Sequence, residues 1–233
     1  MSTRPGGELA TRPLHFIWMC DCSGSMGANG KIQALNSAIR EALPHMKEVA
    51  RENPNAQILV RAIRFSTGAT WHVSQPTPVD SFQWVDLQAD GVTDMGKGLS
   101  MVAEQLKIPP MTDRALPPVI VLVSDGMPTD DFNKGLRDLM AEAWGKKAVR
   151  MAVAIGADAD NKILQRFIGH EEIKPLLASN AEDLVNYMKW VSTVVLKSAS
   201  SPASQVSGMG QVGTANVIIP TAPPAPSTAR KVW

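Results

Sequence analysis

Short apolar runs alternate with segments of helical periodicity along most of the chain. The runs are compact and bounded by polar or turn residues, which predicts strands at residues 14–20, 57–65, 118–126 and 149–156. Apolar side chains at helical spacing predict helices at residues 31–51, 95–106, 131–146, 161–168 and 182–196. Alternation of this kind is typical of an α/β fold with a mostly parallel central sheet and helices on both faces.

Three features modify this regular pattern. Residues 69–75 follow the second strand after a three-residue break, which favours an antiparallel hairpin and one antiparallel edge strand. Residues 174–178 are predicted as a last edge strand. Pro44 lies inside the first helix and is expected to kink it, or to split off a second short helix.

Composition divides the chain into a lead, one domain and a tail. Residues 1–13 are polar and read as a flexible lead, residues 14–198 form the domain, and residues 199–233 are rich in Ser, Ala, Pro and Gly. Such a tail buries too little apolar area to offset its ordering entropy, so we expect it to be mobile. Its β-prone stretch at 215–220 and Trp233 are the pieces able to dock on a sheet edge or a partner; a passive linker is an equal alternative.

The formal net charge is +1, so the chain lacks the excess of Lys and Arg that is typical of nucleic-acid-binding proteins. The apolar runs are too short to cross a bilayer and the N-terminal residues contain no apolar signal region, so a cytoplasmic location is expected.

Cys20 and Cys22 are too close for a relaxed disulfide. They are expected to be small buried residues; the alternative, half of a zinc site, has no complementary His or Cys pair elsewhere.

Oxygen-bearing side chains follow two predicted strands and precede one predicted helix. Asp21, Ser23 and Ser25 follow the first strand, Thr93 precedes the helix at 95–106, and Asp125 follows the strand at 118–126. In open α/β sheets such positions meet at the carboxyl ends of the strands. Hydroxyls and carboxylates form a hard-oxygen set that suits Mg²⁺, Mn²⁺ or Ca²⁺. The alternative is that the two carboxylates merely cap helices.

These residues resemble the metal-ion-dependent adhesion site of the von Willebrand factor A (vWA) domain, D-x-S-x-S…T…D, and the resemblance covers about residues 14–198. It implies a vWA/Rossmann-like three-layer sandwich with direct or near-direct ligation by Ser23, Ser25 and Thr93. It further implies that Asp21 and Asp125 bind the cation directly or through water. The cation is expected to take its last ligand from an Asp or Glu of a protein partner. Asp94, next to Thr93, is a candidate for supporting the ligands without contacting the cation itself.

Several stretches, among them the S-D-G-M-P-T-D-D run at 124–131 and KWVS at 189–192, resemble the tellurite-resistance TerY-type branch of that family. That resemblance implies a bacterial, cytoplasmic adaptor in a signalling or stress system, with a protein kinase and a protein phosphatase of the 2C type as partners.

Two other functions compete with the adaptor. One is the substrate-recruiting subunit of an AAA+ ATPase assembly, a role that such domains also fill. The other is a metal-dependent hydrolase. The chain is expected not to be an enzyme, because no nucleophile and base share a recognisable motif and no phosphate-binding loop occurs. The four histidines, His15, His45, His72 and His170, fall on separate segments.

Overall fold

The structure, a computed structural model, describes residues 11–200, 217, 219–224 and 232–233. Its strands are β1 (Arg12–Asp21), β2 (Ala56–Ser66), β3 (Gly68–Pro78), β4 (Val119–Ser124), β5 (Val149–Ile155) and β6 (Leu176–Ala178). Its helices are α1 (Lys31–Glu52), α2 (Met95–Gln105), α3 (Phe132–Ala141), α4 (Ala143–Lys147), α5 (Asn161–Ile168), α6 (Ala181–Trp190) and α7 (Leu196–Ser200). A 3₁₀ segment at Gly24–Gly30 precedes α1, and a π-helical segment at Val191–Val195 joins α6 to α7.

The six strands form one sheet in the order β3-β2-β1-β4-β5-β6. Every neighbouring pair is parallel except β2 with β3, which form the antiparallel edge hairpin. Helix α1 packs against α6, and α2 against α3, which completes a three-layer α/β architecture. The predicted fold class, including the single antiparallel edge, is therefore confirmed.

The central strands owe their position to their composition. All six residues of β4 and all seven of β5 are buried, as expected for parallel strands covered on both faces. Arg150 is the charged exception in β5. Its guanidinium donates to the carbonyls of Phe167 and Ile168 at the end of α5, at 2.7 and 3.2 Å, so the buried charge satisfies helix-terminal acceptors.

The structure bears on two helix predictions: it excludes a split of the first helix at Pro44, and it corrects the helix at 131–146. Helix α1 continues through Pro44 for 22 residues and is not split. Pro44 lies on the exposed side, where the carbonyl of Arg40 that loses its hydrogen bond is close to solvent. The single helix predicted at 131–146 is instead the pair α3 and α4, because Glu142 has extended dihedral angles (φ −77°, ψ 141°) that interrupt the ladder.

Parts of the tail lie on the domain itself. Val217 and Ile219 are buried against the core, with 7% and 5% of their surfaces exposed. Residues 219–222 border a cavity of about 270 Å³ next to β6 and Trp190. Residues 201–216, 218 and 225–231 lie outside the described residues, so the mobility of the tail stays a prediction. Among the helices of the described residues, none is long and apolar enough to cross a membrane.

A glycine pair sets the distance between α2 and α3. A Cβ at Gly96 would lie 2.4 Å from the carbonyl oxygen of Asp131, and one at Gly135 would lie 2.2 Å from the carbonyl oxygen of Gly96. Any side chain at either position must push the two helices apart. Since α2 begins two residues after Thr93, this contact also fixes the position of the loop that carries Thr93 relative to α3.

We expect Gly135→Ala to lower the free energy of unfolding by about 1–3 kcal/mol, because the added methyl overpacks the contact between the helices. Urea denaturation followed by circular dichroism measures the change. Lys134→Ala, one residue away on the exposed side of α3, is the control and should change stability far less. Equal stabilities of Gly135→Ala and wild type would show that the helices separate without cost.

Candidate metal centre

The candidate site lies where the order of the strands reverses. Strand β1 lies between β2 and β4, so the connection from β1 to β2 and the connection from β4 to β5 run toward opposite edges of the sheet. The register pairs Cys20 with Val123, which places Asp21 beside Ser124 at the carboxyl ends of the two strands. This is the usual position of ligand sites in open α/β sheets.

Asp21 is completely buried, and both of its oxygens are engaged. The backbone N–H of Ser23 donates to Oδ1 at 2.8 Å, and the hydroxyl of Ser124 donates to Oδ2 at 2.5 Å. Burial raises the pKa of Asp21, the two serine residues partly counteract that shift, and the nearby charge of Asp125 adds to it. A cation at this place would relieve the cost of the buried charge.

Ser23, Ser25 and Asp125 form a continuous chain of oxygens. The hydroxyls of Ser23 and Ser25 lie 3.0 Å apart, and Ser25 donates to Asp125 Oδ1 at 2.7 Å. Ser23 and Asp125 are buried, with 2% exposed each, whereas Ser25 reaches the surface. The chain is therefore open to solvent at Ser25, as a site that binds a partner requires.

Thr93 completes the set from the loop before α2. A Cβ at Gly126 would lie 3.9 Å from Thr93 Oγ1 and 4.0 Å from Ser25 Oγ, so both hydroxyls border the same small space. All five residues predicted from the sequence thus collect at one end of the sheet. Glycine at position 126 keeps the space between the hydroxyls free of a side chain.

The loop that carries Thr93 is held by residues whose roles the sequence analysis did not assign. Thr93 N–H donates to the Thr129 hydroxyl at 3.0 Å. Asp130 accepts from the N–H groups of Gly96 and Lys97, at 2.8 and 2.7 Å, and so caps α2. Thr129 and Asp130 belong to the P-T-D-D run, so that resemblance was the signal that could have found them.

Asp94 has an outer, structural role. Its carboxylate accepts from Lys97 Nζ at 2.6 Å and from the N–H of Gly68 at 2.7 Å, which ties the Thr93 loop to the β2–β3 turn. The hydrogen bond from Lys97, together with that from Gly68, lowers the pKa of Asp94. The carboxylate of Asp94 is therefore ionised and already accepts hydrogen bonds from Lys97 and Gly68. This agrees with the predicted role of supporting Thr93 without binding the cation.

Lys31 is the residue of the site that sequence reasoning missed. Its ammonium donates to Asp125 Oδ2 at 2.7 Å, and only 8% of its side chain is exposed. Asp125 thus presents one oxygen to Ser25 and the other to Lys31. The sequence offered little signal, because Lys31 reads as the first polar residue of α1 and lies 94 positions from Asp125.

The donor set fits a small, hard divalent cation. Three neutral hydroxyls and two carboxylates lie at the same end of the sheet, and all are oxygen ligands of the kind that Mg²⁺ prefers. Among the described residues, no group of three or more His, Cys, Asp or Glu is placed to hold a metal ion. The helix-capping alternative is not favoured, because Asp125 accepts from two side chains.

Neither the cysteines nor the histidines extend the site. Cys20 and Cys22 are free and buried, and burial raises the pKa of Cys22 to about 12. Both are therefore small core residues rather than thiolate ligands. Burial, with the charge of Arg61, lowers the pKa of His15 to about 4, which keeps that ring neutral at its core position.

A family model of the von Willebrand factor type A domain matches residues 17–187, which is most of the chain and includes all five candidate ligands. The chain belongs to this family. Domains of the family mediate protein–protein interactions and often use a metal site. A search of curated protein sequences found no match.

Solved vWA structures share the fold at low sequence identity. Proximal thread matrix protein 1 from the mussel byssus, with a zinc-occupied adhesion-site motif, aligns with a TM-score of 0.61 and 15% identity over 78% of this chain and 48% of that chain. The ArnB paralog VWA2 from Sulfolobus acidocaldarius gives 0.55 and 17%, over 78% and 45%. The pilus adhesin SpaC from Lactobacillus rhamnosus GG gives 0.64 and 13%, over 81% and 31%. The chain thus spans less than half the length of these proteins.

We expect Asp21→Asn, in a chelator at neutral pH, to melt at a temperature no lower than wild type. The variant keeps the shape of the side chain and the bond from Ser23, and it removes a buried charge whose ionised form is disfavoured. With Mg²⁺ added, wild type should gain melting temperature and the variant should not.

Differential scanning calorimetry checks both parts, with Asp113→Asn, an exposed carboxylate before β4, as the control that should respond to Mg²⁺ like wild type. A large loss of stability in Asp21→Asn without metal would show that the carboxylate acts as a structural anchor instead.

Proposed function

We propose that this vWA domain is an adaptor that binds a divalent cation at Asp21, Ser23, Ser25, Thr93 and Asp125 and grips an acidic side chain of a partner protein through it. The observation that carries the proposal is the chain of hydrogen-bonded oxygens from Ser23 through Ser25 to Asp125, which reaches the surface at Ser25. A purely structural polar cluster has no need for that opening.

The charges of the site explain the choice of an acidic partner. Three of the five ligands are neutral, and both carboxylates also accept hydrogen bonds, Asp21 from Ser23 and Ser124 and Asp125 from Ser25. The protein therefore offsets less than the full charge of a divalent ion. A carboxylate from outside supplies the missing charge and an oxygen ligand together, which a neutral ligand cannot do.

Exposed apolar side chains beside the ligands support a protein partner. Val92, next to Thr93, is 45% exposed, and Met127, two residues after Asp125, is 66% exposed. Apolar contacts of this kind around a charged centre are typical of the anchors in protein interfaces. A small anion would leave both uncovered.

The finer assignment rests on the sequence. Mg²⁺ is the proposed cation, with Mn²⁺ or Ca²⁺ as chemically similar alternatives, whereas a structural relative carries zinc. The resemblance to the TerY-type branch supports a cytoplasmic signalling or stress system with a protein kinase and a 2C-type phosphatase. Affinity purification with and without chelator, followed by mass spectrometry, identifies the partner and separates this system from an AAA+ ATPase assembly.

We further propose that the domain is not an enzyme. The hydroxyls and carboxylates near the site are already bound to one another, and His15 and His72 lie on strands away from it. Lys31 is paired with Asp125 and is not placed as a free base. Hydrolysis would need a positioned base that this arrangement does not supply.

Titration calorimetry with Mg²⁺ and Mn²⁺ tests the metal site. We expect one site per chain, loss of binding in Asp125→Ala, and a weakening of tenfold or more in Thr93→Ala, because each change removes an oxygen near the cation. Asp113→Ala, at the opposite end of the sheet, is the matched control. Unchanged affinity in both site variants would refute the assignment.

A phosphatase and esterase screen tests the absence of catalysis. Purified protein with Mg²⁺ or Mn²⁺ is expected to show no turnover of chromogenic phosphate and carboxylate esters above a buffer blank. Turnover that disappears in Asp125→Ala and persists in Asp113→Ala would favour the hydrolase instead.

A further inference from the structure

A second surface site lies beside the candidate metal centre and holds Val232 and Trp233. The N–H groups of these two residues donate to the carbonyl of Ser179, at 3.0 and 3.2 Å, and Trp233 Nε1 donates to the carbonyl of Asn29 at 3.0 Å. The indole is half-buried against the core, whereas Val232 is mostly exposed. Three hydrogen bonds from these two residues indicate a specific binding site, which we call the seat of Trp233, rather than an incidental contact.

The seat is formed at the same end of the sheet as the metal centre. Gly156 follows β5 and Ser179 follows β6, and the N–H of Gly156 donates to the carbonyl of Ala178 at 2.8 Å. A Cβ at Gly156 would lie 3.2 Å from Trp233 Cβ, so the backbone itself forms the floor of the seat. Asn29 comes from the 3₁₀ segment that carries Ser25.

Lys31 connects the seat to the metal centre. Its Nζ lies 3.6 Å from the position of a Cβ at Gly156, the same point that Trp233 approaches, and 2.7 Å from Asp125 Oδ2. With Trp233 in place, the lysine side chain is buried. Because Trp233 and the lysine approach the same point at Gly156, we expect removal of Trp233 to give the ammonium more contact with water, which hydrates the charge better than a buried carboxylate does.

We propose that Asn29, Lys31, Gly156 and Ser179 form a binding site for a tryptophan-bearing segment, that residues 232–233 of this chain fill it, and that filling it holds Lys31 on Asp125. The seat itself stands on its own contacts. Its coupling to the cation rests on the proposed function. A bound Trp233 keeps the ammonium against Asp125, in competition with the cation for that carboxylate, and release of the segment frees Asp125 for the metal.

The first experiment measures the seat without any metal. A fluorescent peptide of residues 221–233 is titrated in chelator into full-length Trp233→Ala and into wild type. We expect binding to the variant at least tenfold tighter, because the tethered segment of wild type competes at an effective concentration on the order of millimolar. The same peptide with Ala for Trp233 should not bind either protein.

Hydrogen exchange on wild type gives a second reading that needs no variant. The backbone amides of residues 232–233 should exchange more slowly in the chain than in the free peptide, because both donate to Ser179. Equal peptide binding to wild type and variant, or binding to neither with unprotected amides, overturns the seat.

The second experiment measures the coupling. Mg²⁺ is titrated into wild type, Trp233→Ala and Trp71→Ala, a control that truncates a half-buried tryptophan on β3 at the opposite edge of the sheet. We expect Trp233→Ala to bind Mg²⁺ at least threefold more tightly than the other two. By linkage, saturating Mg²⁺ should weaken binding of the peptide to Trp233→Ala.

Equal Mg²⁺ affinities in all three proteins would overturn the coupling and leave the metal site standing. Absence of Mg²⁺ binding in all three would instead refute the proposed function, and the peptide titration in chelator would still decide the seat.

Discussion

The buried carboxylate of Asp21 is the constraint on which the rest of the site depends. A charge at the end of a core strand is costly unless hydrogen bonds or a cation satisfy it. Ser23 and Ser124 supply two such bonds. The bond from Ser23 is local, whereas the bond from Ser124 forms only if β1 and β4 are neighbours in this register. The hydrogen bonds that the Asp21 carboxylate requires therefore fix the turn after β1, and they place Asp125, the residue after Ser124, close to Asp21.

The pair of Lys31 and Asp125 belongs to function more than to stability. A buried ion pair gains little over apolar packing, since the cost of removing two charges from water offsets their attraction. Here the pair lies between a cation site and a surface seat for Trp233. In the coupling that we propose, movement of Lys31 lets the occupancy of the seat change the charge that the metal site offers.

Most of the fold was predictable because its signals are local. The apolar runs gave β1, β2, β4 and β5, and the short Ser66–Gly68 break gave the antiparallel β3. Prediction was wrong where a local break in the backbone interrupts a segment of helical periodicity. The segment 131–146 keeps helical spacing throughout, yet Glu142 turns out of the helix and Gly145 approaches the backbone of Leu139 too closely for any side chain.

The sequence alone predicted most of the elements and the five candidate oxygen donors, because each donor follows a strand or precedes a helix whose pattern is visible locally. Only the tertiary structure decided which groups meet them. Lys31 reaches Asp125 across 94 residues, Ser124 reaches Asp21 across 103, and Trp233 reaches Asn29 across 204. Such partners leave no periodic trace in the chain, because their contact depends on how the sheet brings distant strand ends together.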